Sequence, residues 1–62
     1  MAKHRAVSVG DRALLERPGG YIVEVEVYYV EVDGAAWASV VNDPWNTGAY
    51  IVDPTDPNTT VL

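Results

Sequence analysis

The chain has no cysteine, no phenylalanine and a single histidine, His4. Without cysteine there is no disulfide to staple a small fold, and a zinc site of cysteine and histidine ligands is excluded. With one histidine, in the N-terminal segment, and no thiol, Ser8 and Ser39 have no evident base, so nucleophilic catalysis has no visible machinery. Lysine and arginine are also missing after Arg17. Residues 18–62 carry Glu24, Glu26, Glu31, Asp33, Asp43, Asp53 and Asp56 unopposed, whereas residues 1–17 are net positive through Lys3, Arg5, Arg12 and Arg17. So acidic a body repels phosphate backbones and anionic lipid surfaces, which argues against nucleic acid and membrane partners. No run approaches the roughly 20 apolar residues of a membrane-spanning helix. The opening MAKHRAVSVGDR is basic but has no apolar stretch behind it, so it does not read as a secretory signal, and a cytoplasmic protein is expected.

What remains is a chain of 62 residues with an ordinary apolar share of 48%. That is one domain, and at this length a marginal one, since only about 60% of the unfolded surface is buried on folding. Domains of this size lean on disulfides, metals or self-association. The first two have no residues here, which leaves a tight core or a homo-oligomer.

Residues 1–6 read as a flexible basic arm, and residues 7–62 as a single domain. No window holds a helical period. Strand-like segments alternate with turn signals instead: Val7–Glu16, then RPGG; Tyr21–Val32, then DGAA; Trp37–Asn42, then DPWNTG; AYIVD, then PTDPN with room for one 3₁₀ turn; and TTVL. Five short-looped strands in so short a chain predict an all-β, small, five-stranded antiparallel barrel.

The second strand breaks its own alternation. Val23, Val25 and Val27 share one parity, while Val30 and Val32 share the other. A strand shows one face to the core with period two, so a change of parity demands an extra residue or a bend. Twelve residues laid straight would span roughly 40 Å, too long for so small a domain. A bulge or coil near Tyr28 is therefore expected, with Val23, Val25 and Val27 facing one part of the core and Val30 and Val32 another; the alternative is a flat strand whose second half buries against another subunit.

Three phrases carry a resemblance to the Src-homology-3-like small barrels of bacteria and phages: VGDRALLERPGG as first strand and turn, YIVEVEVYYVEVDGAAWASVV as the long bent central hairpin, and GAYIVDPTDPNTTVL as closing strand, short turn and last strand. The resemblance spans most of residues 7–62 and implies a fold rather than an activity. Eukaryotic signalling members bind Pro-rich peptides, but their long first loop and Ala-Leu-Tyr opening are missing here. The plasmid-type dihydrofolate reductases share the Gly-Asp-Arg opening. Their Gln-Ile-Tyr phrase is replaced here by AYIVD, and that activity is rejected.

Candidate chemistry is sparse. Glu24 and Glu26 lie about 7 Å apart on one strand face. Paired carboxylates can do acid–base work, but they are also the ordinary wet face of a strand. Asp53, Asp56 and Asn58 in DPTDPN offer oxygen ligands without the glycine and distal glutamate of a calcium loop, and aspartate before proline is a common turn device. No cofactor, no metal and no enzymatic activity are expected.

The aromatic residues are more informative. All are Trp or Tyr, side chains that combine an apolar body with a polar tip. Trp45 sits in a Pro/Asn/Gly loop that has no local need of it. It is expected either to fold back as a lid or, with Tyr50, Tyr28 and Tyr29, to line a surface edged by Glu24, Glu26 and Asp43. Trp37, which opens a strand, is expected in the core. The functional expectation is a non-catalytic protein-interaction or assembly module whose acidic, Trp/Tyr-bearing surface takes a basic or Pro-rich protein segment. The alternative is a small acidic inhibitor or nucleic-acid mimic that blocks a basic groove.

Overall fold

The structure is a computed structural model that describes residues 6–45 and 48–62. Most of the expected N-terminal arm, residues 1–5, lies outside the described residues. Five strands follow in order: β1 (Arg12–Arg17), β2 (Tyr21–Val30), β3 (Ala36–Val40), β4 (Tyr50–Val52) and β5 (Thr59–Val61). They form one antiparallel sheet in the order β4-β3-β2-β1-β5, curled into a half-barrel. The expected all-β, five-stranded architecture is what the chain adopts.

β1 is shorter than expected at its start. Val7 packs against the core, but residues 8–11 make a turn, with Asp11 N–H donating to Ser8 O at 3.0 Å. β1 turns into β2 through Pro18, Gly19 and Gly20, with Gly20 N–H donating to Arg17 O at 3.0 Å. Proline follows Arg17, and Gly19 takes φ 97°, the arrangement a type II turn requires.

The parity break is a bulge at the expected place. Val25 pairs with Val40 and Val27 with Ala38, but Tyr29 pairs with Trp37 and Val30 with Ala36, so Tyr28 is the extra residue. Val25 and Val27 are fully buried, and beyond the bulge Val30 still packs against the core. Val32 corrects the expectation: it is 108% exposed. The strand ends at Val30, and Val32, Asp33 and Gly34 form the connection. Gly34 N–H bonds to Glu31 O at 2.9 Å, and Glu31 N–H bonds across to Ala35 O at 2.8 Å. The Asp-Gly pair thus closes a three-residue loop rather than a two-residue one, and that moves Val32 out of the strand.

The last connection is not a 3₁₀ turn but two successive β-turns. Asp56 N–H donates to Asp53 O and Thr59 N–H to Asp56 O, each at 3.0 Å. Each begins with Asp-Pro, and each aspartate caps its own turn: Asp53 Oδ1 accepts from Thr55 N–H at 2.9 Å, and Asp56 Oδ1 from Asn58 N–H at 2.8 Å.

The core is Ala13, Leu15, Val25, Val27, Ala36, Ala38 and Val52, with Val7, Val23, Val30, Tyr50 and Val61 packed around it. Its largest fully buried side chains are two valines, Val25 and Val27. Curling is visible in one contact: the Arg17 guanidinium stands 5.4 Å over the ring of Tyr50. β1 and β4 are separated by two strands in the sheet, so only a strongly bent sheet brings them together. Trp37 corrects a second expectation. It stands on the face opposite the core, half-buried, with its indole Nε1–H donating to Glu31 Oε2 at 2.6 Å.

Candidate functional site

The acids divide by residue type. Every aspartate accepts a backbone N–H in a turn: Asp11 from Ser8, Asp33 from Ala35, Asp43 from Trp45, Asp53 from Thr55 and Asp56 from Asn58. The short side chain reaches the backbone two or three residues away, which a glutamate does less well. The glutamates lie in or beside strands. Glu24 and Glu26 flank one cation, with Arg12 Nη1 3.7 Å from Glu24 Oε2 and Nη2 3.6 Å from Glu26 Oε1. The cross-strand register places them so, since Arg12 is opposite Glu26 and Leu14 opposite Glu24. At about half exposure this pairing screens two like charges more than it stabilises the fold. Among the described residues, no three His, Cys, Asp or Glu side chains come together as a metal site would need. No helix among them is long and apolar enough to cross a membrane.

One groove, of about 230 Å³, brings several of the candidate residues together. It lies where β2 bulges beside β3. Val9, Tyr28 and Val40 give it apolar walls, and Glu26, Asn42 and Asp43 give it polar ones. The described residues after β3 form one side and make three contacts, one at Asp43–Trp45 and two at Gly48. Asp43 Oδ1 accepts from Trp45 N–H at 3.0 Å. The Tyr28 hydroxyl donates to Gly48 O at 2.8 Å, a contact across 20 residues of chain. Gly48 itself lies so close to β3 that a Cβ there would stand 2.7 Å from Ser39 Cα. Ser39, 3% exposed, lies beneath this loop.

Trp45 is 80% exposed, two residues after Asp43. Of the two expectations for it, the lid is excluded. Glu26, Tyr28 and Asp43 share the groove, and Trp45 follows Asp43 by two residues. The other candidates lie elsewhere. Glu24 stands beside Arg12, outside the groove lining. Tyr50 packs against the core beneath Arg17. Tyr29 lies past the bulge, paired with Trp37. The aromatic residues therefore do not form one surface, because the bulge and the curl send neighbours in sequence to different places. Val9 and Val40 were not singled out from the sequence. Val9 reads as part of the expected first strand, and Val40 as one more strand residue.

Protein-family models, curated proteins and solved structures were all compared with the chain, and none matches it.

Proposed function

We propose that the protein is a non-catalytic interaction module that binds a basic or Pro-rich protein segment in the groove beside Trp45. The observation that carries this reading is Trp45: a tryptophan 80% exposed beside the groove, its backbone N–H held by the Asp43 carboxylate. An aromatic whose backbone is already held in a turn loses less entropy on binding, and tryptophan is enriched among the residues that dominate interface energetics. Asp43 in the adjoining groove, and Glu26, which a ligand would share with Arg12, favour a cationic ligand. Tyr28 and Val40 offer apolar contact to a proline ring or to the stem of an arginine.

The Src-homology-3-like assignment belongs to the same proposal. The long β2 bent by its bulge and the β4–turn–β5 ending support it, and the paired Asp-Pro turns depart from it where a 3₁₀ turn was expected. An origin among bacterial or phage proteins is part of that reading. The charge would also serve an acidic inhibitor or nucleic-acid mimic. Arg12 already stands between Glu24 and Glu26, and Glu31 is engaged by Trp37, so fewer carboxylates are free to imitate phosphates. The interaction reading is preferred on that ground.

Titrating the protein with Arg/Pro-containing decapeptides, followed by tryptophan fluorescence and amide chemical shifts, tests the proposal. Saturable binding that shifts the amides of Tyr28, Val40 and Asp43, and falls at least about tenfold in Trp45→Ala, is the expected result. Binding that is unchanged in Trp45→Ala, or no binding by any cationic or Pro-rich peptide, overturns it.

A further inference from the structure

The strand order leaves β4 at one open edge of the sheet. Hydrogen-bond alternation identifies which of its backbone groups point outward. In an antiparallel ladder, the N–H and C=O of one residue point to the same neighbour, and those of the next residue point the other way. Val41 N–H donates to Glu24 O, and Ala35 O accepts from Glu31 N–H, so residues 35, 37, 39 and 41 direct their backbones to β2. Ala36 and Ala38 then direct theirs to β4, where they pair with Val52 and Tyr50. The intervening residue, Ile51, turns its N–H and C=O away from the sheet.

Its side chain is also displayed. Ile51, 46% exposed, lies across from Trp37, which lies across from Tyr29, 54% exposed. These three side chains form an apolar row on the face opposite the core, running up to the open edge. Natural edge strands are guarded by lysines, inward charges, prolines or bulges. Tyr50–Val52 carries none of these, and it is short, at 3 residues.

We propose that β4 pairs antiparallel with β4 of a second copy, about a two-fold axis through Ile51, so that two five-stranded sheets become one. The occupant is argued from self-complementarity. In that register Ile51 faces Ile51, Tyr50 faces Val52, and Ala49 faces Asp53. No acid meets its own copy, a real constraint for a chain of net charge −5. The Ile51 backbone groups satisfy each other as a hydrogen-bonded pair, and the apolar row continues through Ile51 and Trp37 of the second copy to its Tyr29. A core whose largest fully buried side chains are valines leaves more to be gained from burying this row. A strand of 3 residues offers a small contact compared with the roughly 1,200 Å² of stable interfaces, so association is expected to be weak and concentration-dependent. The edge is separate from the groove beside Trp45, and either proposal can fail without the other.

The chain has no cysteine, which makes a single-cysteine test clean. Residues in a hydrogen-bonded antiparallel pair have Cα atoms about 5.5 Å apart, within the span of a disulfide. Under oxidised glutathione, Ile51→Cys is expected to form disulfide dimers about tenfold or more faster than Ile22→Cys, because pairing raises the effective thiol concentration. Ile22 is the control because it is 64% exposed but lies on neither the edge nor the row. In sedimentation across the micromolar to millimolar range, the wild type and Ile22→Lys are expected to associate, while Ile51→Lys stays monomeric with an unchanged circular dichroism spectrum. Equal cross-linking of the two cysteine variants overturns the proposal. So does a wild type that remains monomeric at millimolar concentration, whether or not β4 then pairs with a strand of another protein.

Discussion

Replacing Gly48 with alanine isolates the force that holds Gly48 against β3. The glycine is not held at positive φ, so its backbone accepts alanine and the obstacle is space alone. An added Cβ would stand 2.7 Å from Ser39 Cα, 3.1 Å from Ser39 Cβ and 3.2 Å from Ala38 O. The first and last of these belong to the backbone of β3, which is bonded on both sides and cannot withdraw. The loop must lift instead, and the Tyr28 hydroxyl then loses Gly48 O. Overpacking of this kind costs about 1–3 kcal/mol. The lost hydrogen bond adds roughly 0.5–1.5 kcal/mol, at the low end because it is exposed. A total of about 2–4 kcal/mol is large against the roughly 3–9 kcal/mol expected for a domain of this length. It corresponds to a fall in Tm on the order of 15–30 °C. Tyr28→Phe removes the hydrogen bond alone and is expected to cost about 1 kcal/mol or less. The two changes share one contact, so the double variant should be scarcely less stable than Gly48→Ala by itself. Urea unfolding of the four proteins, with equal m-values required, measures both terms. A Gly48→Ala midpoint equal to that of the wild type, or strict additivity with Tyr28→Phe, refutes the reasoning.

Glu31→Ala removes the acceptor of the Trp37 indole and is expected to destabilise by about 1–2 kcal/mol, whereas Glu31→Gln, which still accepts, should lose less than half of that. Chemical denaturation compares the two, and equal losses would mean that the 2.6 Å contact does not hold Trp37. Asp53→Ala and Asp56→Ala each remove one turn cap before β5 and should each cost roughly 0.5–1.5 kcal/mol, with faster amide exchange at Thr59–Val61. Unaltered exchange there would show that the paired turns do not position β5.

The bulge was legible in sequence because Val27 and Val30 are separated by an odd number of steps and both are strongly apolar. Their burial demands an inserted residue whatever the rest of the fold does. Val32 was misread for the same reason in reverse. It continues the new parity, but the Asp33-Gly34 turn begins one residue earlier than the two-residue geometry implies. The aspartates were partly legible. Asp-Pro announces a turn, but the capping role of Asp11, which precedes an arginine, has no such marker. Trp37 was misplaced because an aromatic at the start of a strand has no parity of its own, and the neighbouring alanines took the core positions instead.

The sequence by itself determined the strands, the turns between them and the kink in β2, because side-chain period and turn chemistry act over a few residues. The tertiary structure alone decided which side chains meet. Arg12 reaches Glu24 and Glu26 through the β1–β2 register, Tyr28 reaches Gly48 over the outer face of β3, and Arg17 reaches Tyr50 through the curl of the sheet. Each of these contacts joins residues at least 12 positions apart. Periodicity gives a residue its face but not its partner; the partner is fixed only when register, bulge and curvature act together.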